Sequence, residues 1–173
     1  GVITNISEGH LIHLKTLKKI QEAKGELFDS LNENGTAIVN ADDPLVLELA
    51  ESIKAKVMTY GVYNKADIKA EEILPMGREG FKLDVRFFDK NIPMSIPFLG
   101  ECNIYNALAA MAASWSFGVS PDDIKRGIMN AKLLANRFEI IEYGGMVIIN
   151  DSYNANPRSM KEALKVLANY KCK

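Results

Sequence analysis

A dense set of hydrogen-bonding side chains occupies residues 150–156, directly after a short apolar strand pattern. The stretch contains a carboxylate, three asparagines, a serine and a tyrosine. Polar groups at the end of a strand are the groups with which open α/β sheets contact their ligands. Asp151 can accept hydrogen bonds from ribose hydroxyls, and Arg137, further upstream, can clamp a phosphate. An ordinary surface ion pair between Asp151 and Arg137 explains the same two charges equally well.

Lys24 occupies an unusual position on the helix predicted from about Thr16 to Leu31. The apolar residues of that helix recur on one face, and Lys24 lies within this stripe, four residues after Ile20 and four before Phe28. One interpretation is a lysine whose amine reaches past the helix to water. The other is a desolvated amine with a lowered pKa, available for covalent modification or for a site. The helical pattern allows both.

His10, Asn103 and Asn106 are further candidates for a ligand site. His10 follows the first predicted strand, where it could bind a metal or have only a structural role, and His13 competes with it. Asn103 and Asn106 lie one turn apart at the start of an alanine-rich helix that is predicted to be buried. Asn103 is a candidate helix cap, whereas the Asn106 amide suits either an adenine edge or a backbone partner.

The pattern of strands and helices predicts how these residues are positioned. Strands alternate with helices in the first part of the chain, which indicates a parallel sheet flanked by helices. Asn40 and Asp42 are predicted turn formers, and Asp43 is a predicted helix cap. Three segments with strand composition then predict an antiparallel extension of the sheet, namely residues 66–73, 80–88 and 92–98.

The pattern changes near residues 131–136, where we place a domain boundary that separates residues 1–134 from residues 135–173. The second part is predicted to be the start of another α/β domain. It opens with two strand patterns around a glycine pair, which predict a hairpin. Asn156-Pro157 then predicts the start of a helix, and we expect the apolar stripe of that helix to be buried.

Composition and charge exclude several classes of protein. The chain has 173 residues, of which 47% are hydrophobic and 25% are charged, as in ordinary globular proteins. The net charge of −1 gives no attraction to nucleic acid, and no apolar run is long enough to span a membrane. Cys102 and Cys172 are too few for a disulfide scaffold and favour a reducing cytoplasm.

Both ends of the chain have the pattern of interrupted elements. Residues 1–6 resemble a strand with no element before it, and the last helix runs to the C-terminal residue without a glycine or proline that would stop it. We therefore expect a fragment of a longer protein.

Six stretches, spread over nearly the whole chain, resemble the Mur ligase superfamily, the ATP-dependent amide-forming enzymes of peptidoglycan synthesis. They are TNISEGHL, AKGELF, VNADDP, residues 100–110, NRFE and NDSYNANPRSM. The resemblance implies an α/β fold with a mostly parallel sheet, flanking helices and an antiparallel extension, as in the central ATP-binding domain of the family. It also implies a bacterial, cytoplasmic, monomeric enzyme that uses ATP and Mg²⁺.

The last stretch distinguishes branches of the superfamily. Its D-S-Y-N-A-N-P sequence is similar to the branch that adds D-alanyl-D-alanine (D-Ala-D-Ala) to a UDP-N-acetylmuramoyl (UDP-MurNAc) tripeptide. The resemblance implies that ATP phosphorylates the tripeptide carboxylate and that the amine of D-Ala-D-Ala attacks the resulting acyl phosphate. Two alternatives remain. One is another amide ligase of the superfamily, such as a folylpolyglutamate or cyanophycin synthetase relative, and the other is a non-catalytic nucleotide-binding module.

The resemblance also implies roles for residues in catalysis and substrate binding. His10 matches the family's magnesium-binding histidine. Lys24 matches the carbamylated lysine, whose carbamate oxygens help to hold a magnesium ion. Carbamylation requires a neutral amine, which fits the position of Lys24 in the apolar stripe. Ser152 and Asn154 are expected on the D-Ala-D-Ala side of the site.

Four residues match the nucleotide pocket of the family. Asn106 matches the adenine-contacting asparagine, Arg137 a nucleotide-contacting arginine and Asp151 the ribose-contacting aspartate. Asn103 is a weaker candidate for the same pocket.

The chain departs from the family pattern in three places. Cys102 stands where the family usually has histidine, and Asn136 where it usually has glycine. No G-x-x-G-K-[ST] phosphate-binding loop occurs in the sequence, and in the family this loop precedes the first strand found here. We therefore expect residues 1–173 alone to be inactive, and the activity to belong to the longer protein.

Overall fold

Two β-sheets and the helices around them form from the segments that the sequence pattern indicates. The computed structural model describes residues 1–8 and 15–170. The strands are β1 (Val2–Ile3), β2 (Thr36–Asn40), β3 (Lys56–Gly61), β4 (Ile68–Pro75), β5 (Phe81–Phe87), β6 (Lys90–Ile96), β7 (Glu139–Tyr143) and β8 (Met146–Asn150). The helices are α1 (Leu17–Asp29), α2 (Pro44–Ala50), α3 (Cys102–Ser116), α4 (Pro121–Met129) and α5 (Pro157–Asn169).

The first sheet has the strand order β1-β2-β3-β4-β5-β6. Strands β1 to β4 pair in parallel, and β5 and β6 extend the sheet by antiparallel pairing. This confirms the predicted fold class. The first strand ends at Ile3, earlier than the Ile6 expected from the sequence. The segment after Ile3 instead forms the loop that contacts the candidate site described below.

Apolar side chains pack on both faces of this sheet, because helices cover both faces. Successive residues of β2 point to opposite sides. Ile38 joins a core that includes Leu108 of α3, whereas Val39 joins a second core with Ile20 of α1 and Val46 of α2. A parallel strand buried on both faces has few exposed positions, which explains the continuous apolar run in β2.

Strands β7 and β8 form a separate antiparallel hairpin, as predicted. Its turn residues Gly144 and Gly145 both have positive φ, 57° and 79°, a conformation that glycine adopts without a steric penalty. Helix α5 follows, and Asn156 and Ser159 cap its first turn reciprocally. None of the helices in the part of the chain that the structure describes is long and apolar enough to cross a membrane.

The apolar stripe of α5 is exposed, so the expectation that it would be buried is wrong. Met160, Leu164 and Leu167 are 56%, 63% and 60% exposed. The helix turns a different face, which includes Glu162 and Val166, toward the clefts that it shares with the first sheet. Helical periodicity identified an apolar face correctly but does not indicate whether a neighbouring element covers it.

Asp43 fastens two loops at the carboxyl end of the parallel strands. Its Oδ1 accepts hydrogen bonds from the backbone N–H groups of Leu45 (3.1 Å) and Val46 (3.2 Å), which confirms it as the cap of α2. Its Oδ2 accepts from the N–H of Ile6 at 2.9 Å. The carboxylate is 8% exposed, so it joins the segment after β1 to the start of α2 within the protein interior.

Asn40 and Asp42 form the turn after β2, as predicted, and also contact neighbouring strands. The Asn40 amide donates to the Thr4 carbonyl oxygen at 2.8 Å and accepts from the Asp42 N–H at 3.0 Å. These bonds attach the loop that follows β1 to the end of β2.

The Asp42 carboxylate organises the loop after β3. It accepts hydrogen bonds from the N–H groups of Val62 (2.6 Å), Tyr63 (3.1 Å) and Asn64 (2.8 Å), and from the Tyr105 hydroxyl (3.0 Å). Burial by itself would raise the pKa of Asp42, but these hydrogen bonds outweigh it and hold the pKa below the ordinary value. The ionised carboxylate therefore links the β2, β3 and α3 segments.

Replacing Asp43 with alanine should lower the free energy of unfolding by about 2–4 kcal/mol, because a helix cap is lost and the buried Ile6 N–H loses its acceptor. Urea-induced unfolding of the variant measures the change. Asp89→Ala, which removes an exposed carboxylate from the β5–β6 turn, is the matched control and should change stability little. An Asp43→Ala protein as stable as the unsubstituted protein would show that these hydrogen bonds do not hold the loops.

Candidate functional site

A cavity of about 610 Å³ lies at the carboxyl end of the parallel strands, between the first sheet and the unit formed by β7, β8 and α5. The loop after β1 forms one wall, and the first turns of α3 form another. The segment before β7, the end of β8 and the first turns of α5 complete it. The carboxyl edge of a parallel sheet is where open α/β folds bind ligands. We refer to this space as the large cavity.

The large cavity brings together the residues predicted to contact a nucleotide. Asn103 and Asn106 line it from α3, Arg137 from the segment before β7, and Asp151 from the end of β8. The two units of the chain therefore contribute to one site.

Asn103 was a candidate helix cap and Asn106 was expected to be buried, and the structure shows neither. Helix α3 begins at Cys102, so Asn103 lies inside its first turn, where its Nδ2 donates to the Leu99 carbonyl at 2.7 Å. Asn103 Oδ1 accepts from Asn106 Nδ2 at 3.1 Å. Asn106 is exposed to the large cavity rather than buried. Its carbonyl oxygen and its second N–H remain available for a ligand that offers both a donor and an acceptor.

Arg137 and Asp151 do not form the surface ion pair that was one interpretation of the sequence. Within residues 1–8 and 15–170, no salt bridge joins them. The Arg137 guanidinium instead lies over the Tyr153 ring, 4.1 Å from its centroid. A cation–π contact orients the guanidinium plane without neutralising its charge. Both charged groups line the large cavity and are free to contact an incoming ligand.

Asn150 makes several of the hydrogen bonds in the polar stretch after β8. Its Oδ1 accepts from the Ser152 N–H at 3.3 Å and from the Ser152 hydroxyl at 2.7 Å. Its Nδ2 donates to Asn136 Oδ1 at 2.9 Å and to Glu139 Oε2 at 3.1 Å. Ser152 is thus part of the turn. Neither Ser152 nor Asn154 lines the large cavity, and both are exposed.

The Lys24 amine contacts the loop that forms one wall of the large cavity. Its Nζ donates to the Asn5 carbonyl oxygen at 2.7 Å, and Asn5 lines the cavity. Burial of the half-buried amine lowers the pKa of Lys24; nearby Asp43 opposes this effect, and Arg158 adds to it. The contact with a backbone carbonyl and the lowered pKa favour the desolvated amine over a lysine that simply extends into water.

The predicted metal ligand His10 lies outside the described residues, as does His13. Among the residues that are described, no group of three His, Cys, Asp or Glu side chains is arranged to hold a metal ion. The oxygens of Asp42 and Asp43 are already occupied by backbone N–H groups. A cation at this edge would therefore need His10, a modified Lys24 or ligand oxygens.

A smaller cavity of about 320 Å³ adjoins this region. It is lined by Asn40, Asp42, Asp43, Tyr105 and Arg158, among others. We refer to it as the small cavity.

The structure adds residues that the sequence analysis did not select. Arg158, in the first turn of α5, lines both the small and the large cavity, and Glu162 lines the large one. Cys102 also lines the large cavity. Burial raises the pKa of its thiol to about 11, with further contributions from Glu162 and Asp151, so the thiol is neutral near pH 7. Arg158 and Glu162 lie four residues apart, so helical periodicity places them on one face of α5, but this spacing does not relate that face to a cavity.

Comparison with known proteins identifies the family. A model of the Mur ligase middle domain matches residues 1–114. The chain belongs to the Mur ligase family. The resemblance found in the six sequence stretches is thereby confirmed.

Several Mur ligases resemble the chain over almost its full length. It is 38% identical to the UDP-N-acetylmuramoyl-tripeptide–D-alanyl-D-alanine ligase of Bacillus subtilis over 167 residues, which is 96% of this chain and 35% of that protein. It is 32% identical to the UDP-N-acetylmuramoyl-L-alanyl-D-glutamate–2,6-diaminopimelate ligase of Halalkalibacterium halodurans, with 96% and 35% coverage. The chain thus spans about a third of the length of these relatives.

A solved structure of MurF from Acinetobacter baumannii has the same fold. It superimposes with a TM-score of 0.92 at 32% sequence identity, over 98% of this chain and 37% of that one. The mostly parallel six-stranded sheet and the following hairpin are therefore features of a Mur ligase.

The Lys24 amine should titrate below the ordinary lysine value of 10.5, because its burial disfavours the charged form. Reductive ¹³C-methylation followed by NMR at increasing pH measures the midpoint. The resonance that is absent from a Lys24→Gln variant identifies Lys24. A midpoint at or above 10.5 would contradict the desolvation inferred from the structure.

Proposed function

We propose that the chain is the nucleotide-binding part of an ATP-dependent ligase that adds D-Ala-D-Ala to UDP-MurNAc-tripeptide. The observation that carries the proposal is the large cavity, in which Asn103, Asn106, Arg137 and Asp151 converge from two units. These are the residues that match the family's nucleotide pocket. An amide pair, a guanidinium and a carboxylate are the groups that recognise a base, a phosphate and a ribose.

Two observations favour D-Ala-D-Ala as the acceptor, that is, the substrate whose amine receives the acyl group. The D-S-Y-N-A-N-P sequence at residues 151–157 is similar to that of the D-Ala-D-Ala-adding branch. The relatives from Bacillus subtilis and Escherichia coli, at 38% and 35% identity, are both named UDP-N-acetylmuramoyl-tripeptide–D-alanyl-D-alanine ligase. The diaminopimelate-adding relative at 32% identity lies close enough that the acceptor requires a direct test.

In the proposed nucleotide arrangement, the base lies on the α3 side of the large cavity. The Asn106 amide offers a donor and an acceptor there, and the buried Phe138 ring supplies an apolar surface. Asp151 accepts from the ribose hydroxyls. The phosphates then extend toward the loop after β1, where Thr4 and Asn5 line the cavity near the Lys24 amine.

In the proposed reaction, a tripeptide carboxylate oxygen attacks the γ-phosphorus of ATP, and the bond to ADP breaks. The amine of D-Ala-D-Ala then attacks the acyl phosphate carbon, a C–N bond forms, phosphate leaves with the C–O bond electrons, and the nitrogen gives up a proton to solvent. Phosphoryl transfer depends mainly on positioning and on charge stabilisation. The residues of the large cavity hold the nucleotide, and the loop fastened by Asp43 holds the wall next to Lys24.

Lys24 and His10 are the proposed magnesium-binding residues. The half-buried Lys24 amine has a lowered pKa, and only the neutral amine can react with carbon dioxide to form a carbamate. The carbamate would supply anionic oxygens at an edge where the described residues form no group of three metal ligands. Magnesium held there would neutralise phosphate charge during transfer.

We further propose a domain boundary at residues 134–135 and a role for Ser152 and Asn154 on the acceptor side. The separate β7–β8 sheet supports the boundary. The Ser152 and Asn154 side chains are exposed and follow Asp151, which lines the large cavity, so a substrate could reach them. The monomeric, cytoplasmic enzyme expected from the sequence belongs to the same proposal.

The longer protein that contains this chain should release ADP only when both UDP-MurNAc-tripeptide and D-Ala-D-Ala are present, because the amine is needed to consume the acyl phosphate. A coupled ADP assay with each substrate omitted in turn measures this requirement. D-glutamate and meso-diaminopimelate, offered with their own UDP-linked carboxylate substrates, serve as controls and should not support turnover. Turnover with either of them, and none with D-Ala-D-Ala, would overturn the proposed acceptor while leaving ATP-dependent ligation intact.

A further inference from the structure

Arg158 connects the two cavities at the carboxyl edge of the sheet. It lies in the first turn of α5 and lines both the small cavity, beside Asp42 and Asp43, and the large cavity, beside Asn5 and Asp151. The side chain is exposed to this shared space rather than packed in the core. No residue assigned from the family resemblance occupies this junction.

Asp42 and Asp43, which line the small cavity with Arg158, form no ion pair with it. Both oxygens of Asp42 accept hydrogen bonds from the loop after β3, and both oxygens of Asp43 accept from the backbone at Ile6 and at the start of α2. No hydrogen bond or ion pair joins the Arg158 side chain to any residue in ranges 1–8 and 15–170. Asp42 and Asp43 are thus used as structural acceptors, and the N–H groups of the Arg158 guanidinium remain available to a ligand.

The Lys24 amine lies close by. It donates to the Asn5 carbonyl, and Asn5 lines the large cavity together with Arg158. The positive charge of Arg158 is near enough to contribute to the lowered pKa of Lys24. An arginine without an ion-pair partner among the described residues, next to the proposed magnesium-binding residue Lys24, favours binding of a group with several negative oxygens.

The large cavity has both apolar and polar lining residues. Leu133, Leu134 and Phe138 supply apolar surface, which suits a base. Arg158 also lines the small cavity together with Ile6, so it lies near the loop after β1, and the polar residues Thr4 and Asn5 of that loop suit the phosphates. A guanidinium can make two parallel hydrogen bonds to a phosphate, which fixes its orientation as well as its charge.

We propose that Arg158 binds the terminal phosphates of the nucleotide, so that the unit containing α5 contributes directly to phosphate recognition. Since the phosphate belongs to the ATP of the proposed ligase reaction, this inference rests on the proposed function. Arg158 is a binding residue in this account, and Asn106 and Asp151 recognise the base and ribose independently of it.

The test compares nucleotides that differ in their phosphates, using the full-length protein. Isothermal titration should show that Arg158→Ala weakens binding of ADP and of a non-hydrolysable ATP analogue by about tenfold or more, since charge-assisted hydrogen bonds are lost. The affinity for adenosine should stay within about twofold. Arg158→Lys retains the charge without the planar fork and should recover part of the loss.

Lys161→Ala is the matched control, because it removes an exposed positive charge from the same helix and Lys161 lines neither cavity. It should leave all affinities unchanged. Circular dichroism checks that each variant retains its helices. If Arg158→Ala binds ADP and the ATP analogue as tightly as the unsubstituted protein does, the inference is wrong. Equal weakening of adenosine and ATP binding also contradicts it, since the effect is then not on the phosphates.

Failure of the proposed function is distinguishable from failure of this inference. If the unsubstituted full-length protein binds no adenine nucleotide, the ligase proposal itself fails. If it binds ATP and Arg158→Ala has no effect, only the role of Arg158 is removed.

Discussion

The site depends on a carboxylate that is used as a structural acceptor. Asp43 binds the Ile6 N–H with one oxygen and the first N–H groups of α2 with the other. Backbone N–H groups thus hold both oxygens of this buried side chain at the N terminus of α2. The loop after β1 is thereby fixed, and Asn5 in that loop both lines the large cavity and accepts from Lys24.

Asp42, at the same edge of the sheet, is likewise used as a structural acceptor. Its oxygens accept from the loop after β3 and from the Tyr105 hydroxyl. The large cavity is lined by Arg137, Arg158, Asn103 and Asn106 together with the carboxylates of Asp151 and Glu162. A site of this kind suits an anionic nucleotide, and the unit formed by β7, β8 and α5 supplies Arg137, Asp151 and Arg158 to it. Arg78, next to the β5 strand, pairs with Glu142 of β7 and forms a second contact between the units.

Most elements were predictable from the sequence, because local chemistry decides them. Asp43 and Pro44 define the start of α2, and the glycine pair at 144–145 defines the hairpin. Alternation of strands and helices also predicted the parallel sheet correctly. The family match over residues 1–114 confirms the resemblance on which the roles of site residues were based, while those roles remain proposals.

Features that depend on distant neighbours were not predictable. Periodicity described the apolar face of α5 but not its exposure at Leu164. Asn106 was expected to be buried because its helix is apolar, yet it opens onto a cavity that forms only when α5 packs nearby. Arg158 was overlooked for the same reason, since its significance arises from two cavities that meet in space. The spacing of residues along the sequence does not indicate that the two cavities adjoin at Arg158.

The central claim is that two units of the chain share one nucleotide site, and a double-mutant cycle on Asn106 and Asp151 in the full-length protein tests it most directly. ATP affinity is measured for Asn106→Ala, Asp151→Ala and the double variant. Each single substitution should weaken binding by about tenfold, because each removes a hydrogen-bonding partner of the same ligand. Undiminished ATP affinity in Asp151→Ala, together with weakened binding in Asn106→Ala, would contradict a site shared between the units.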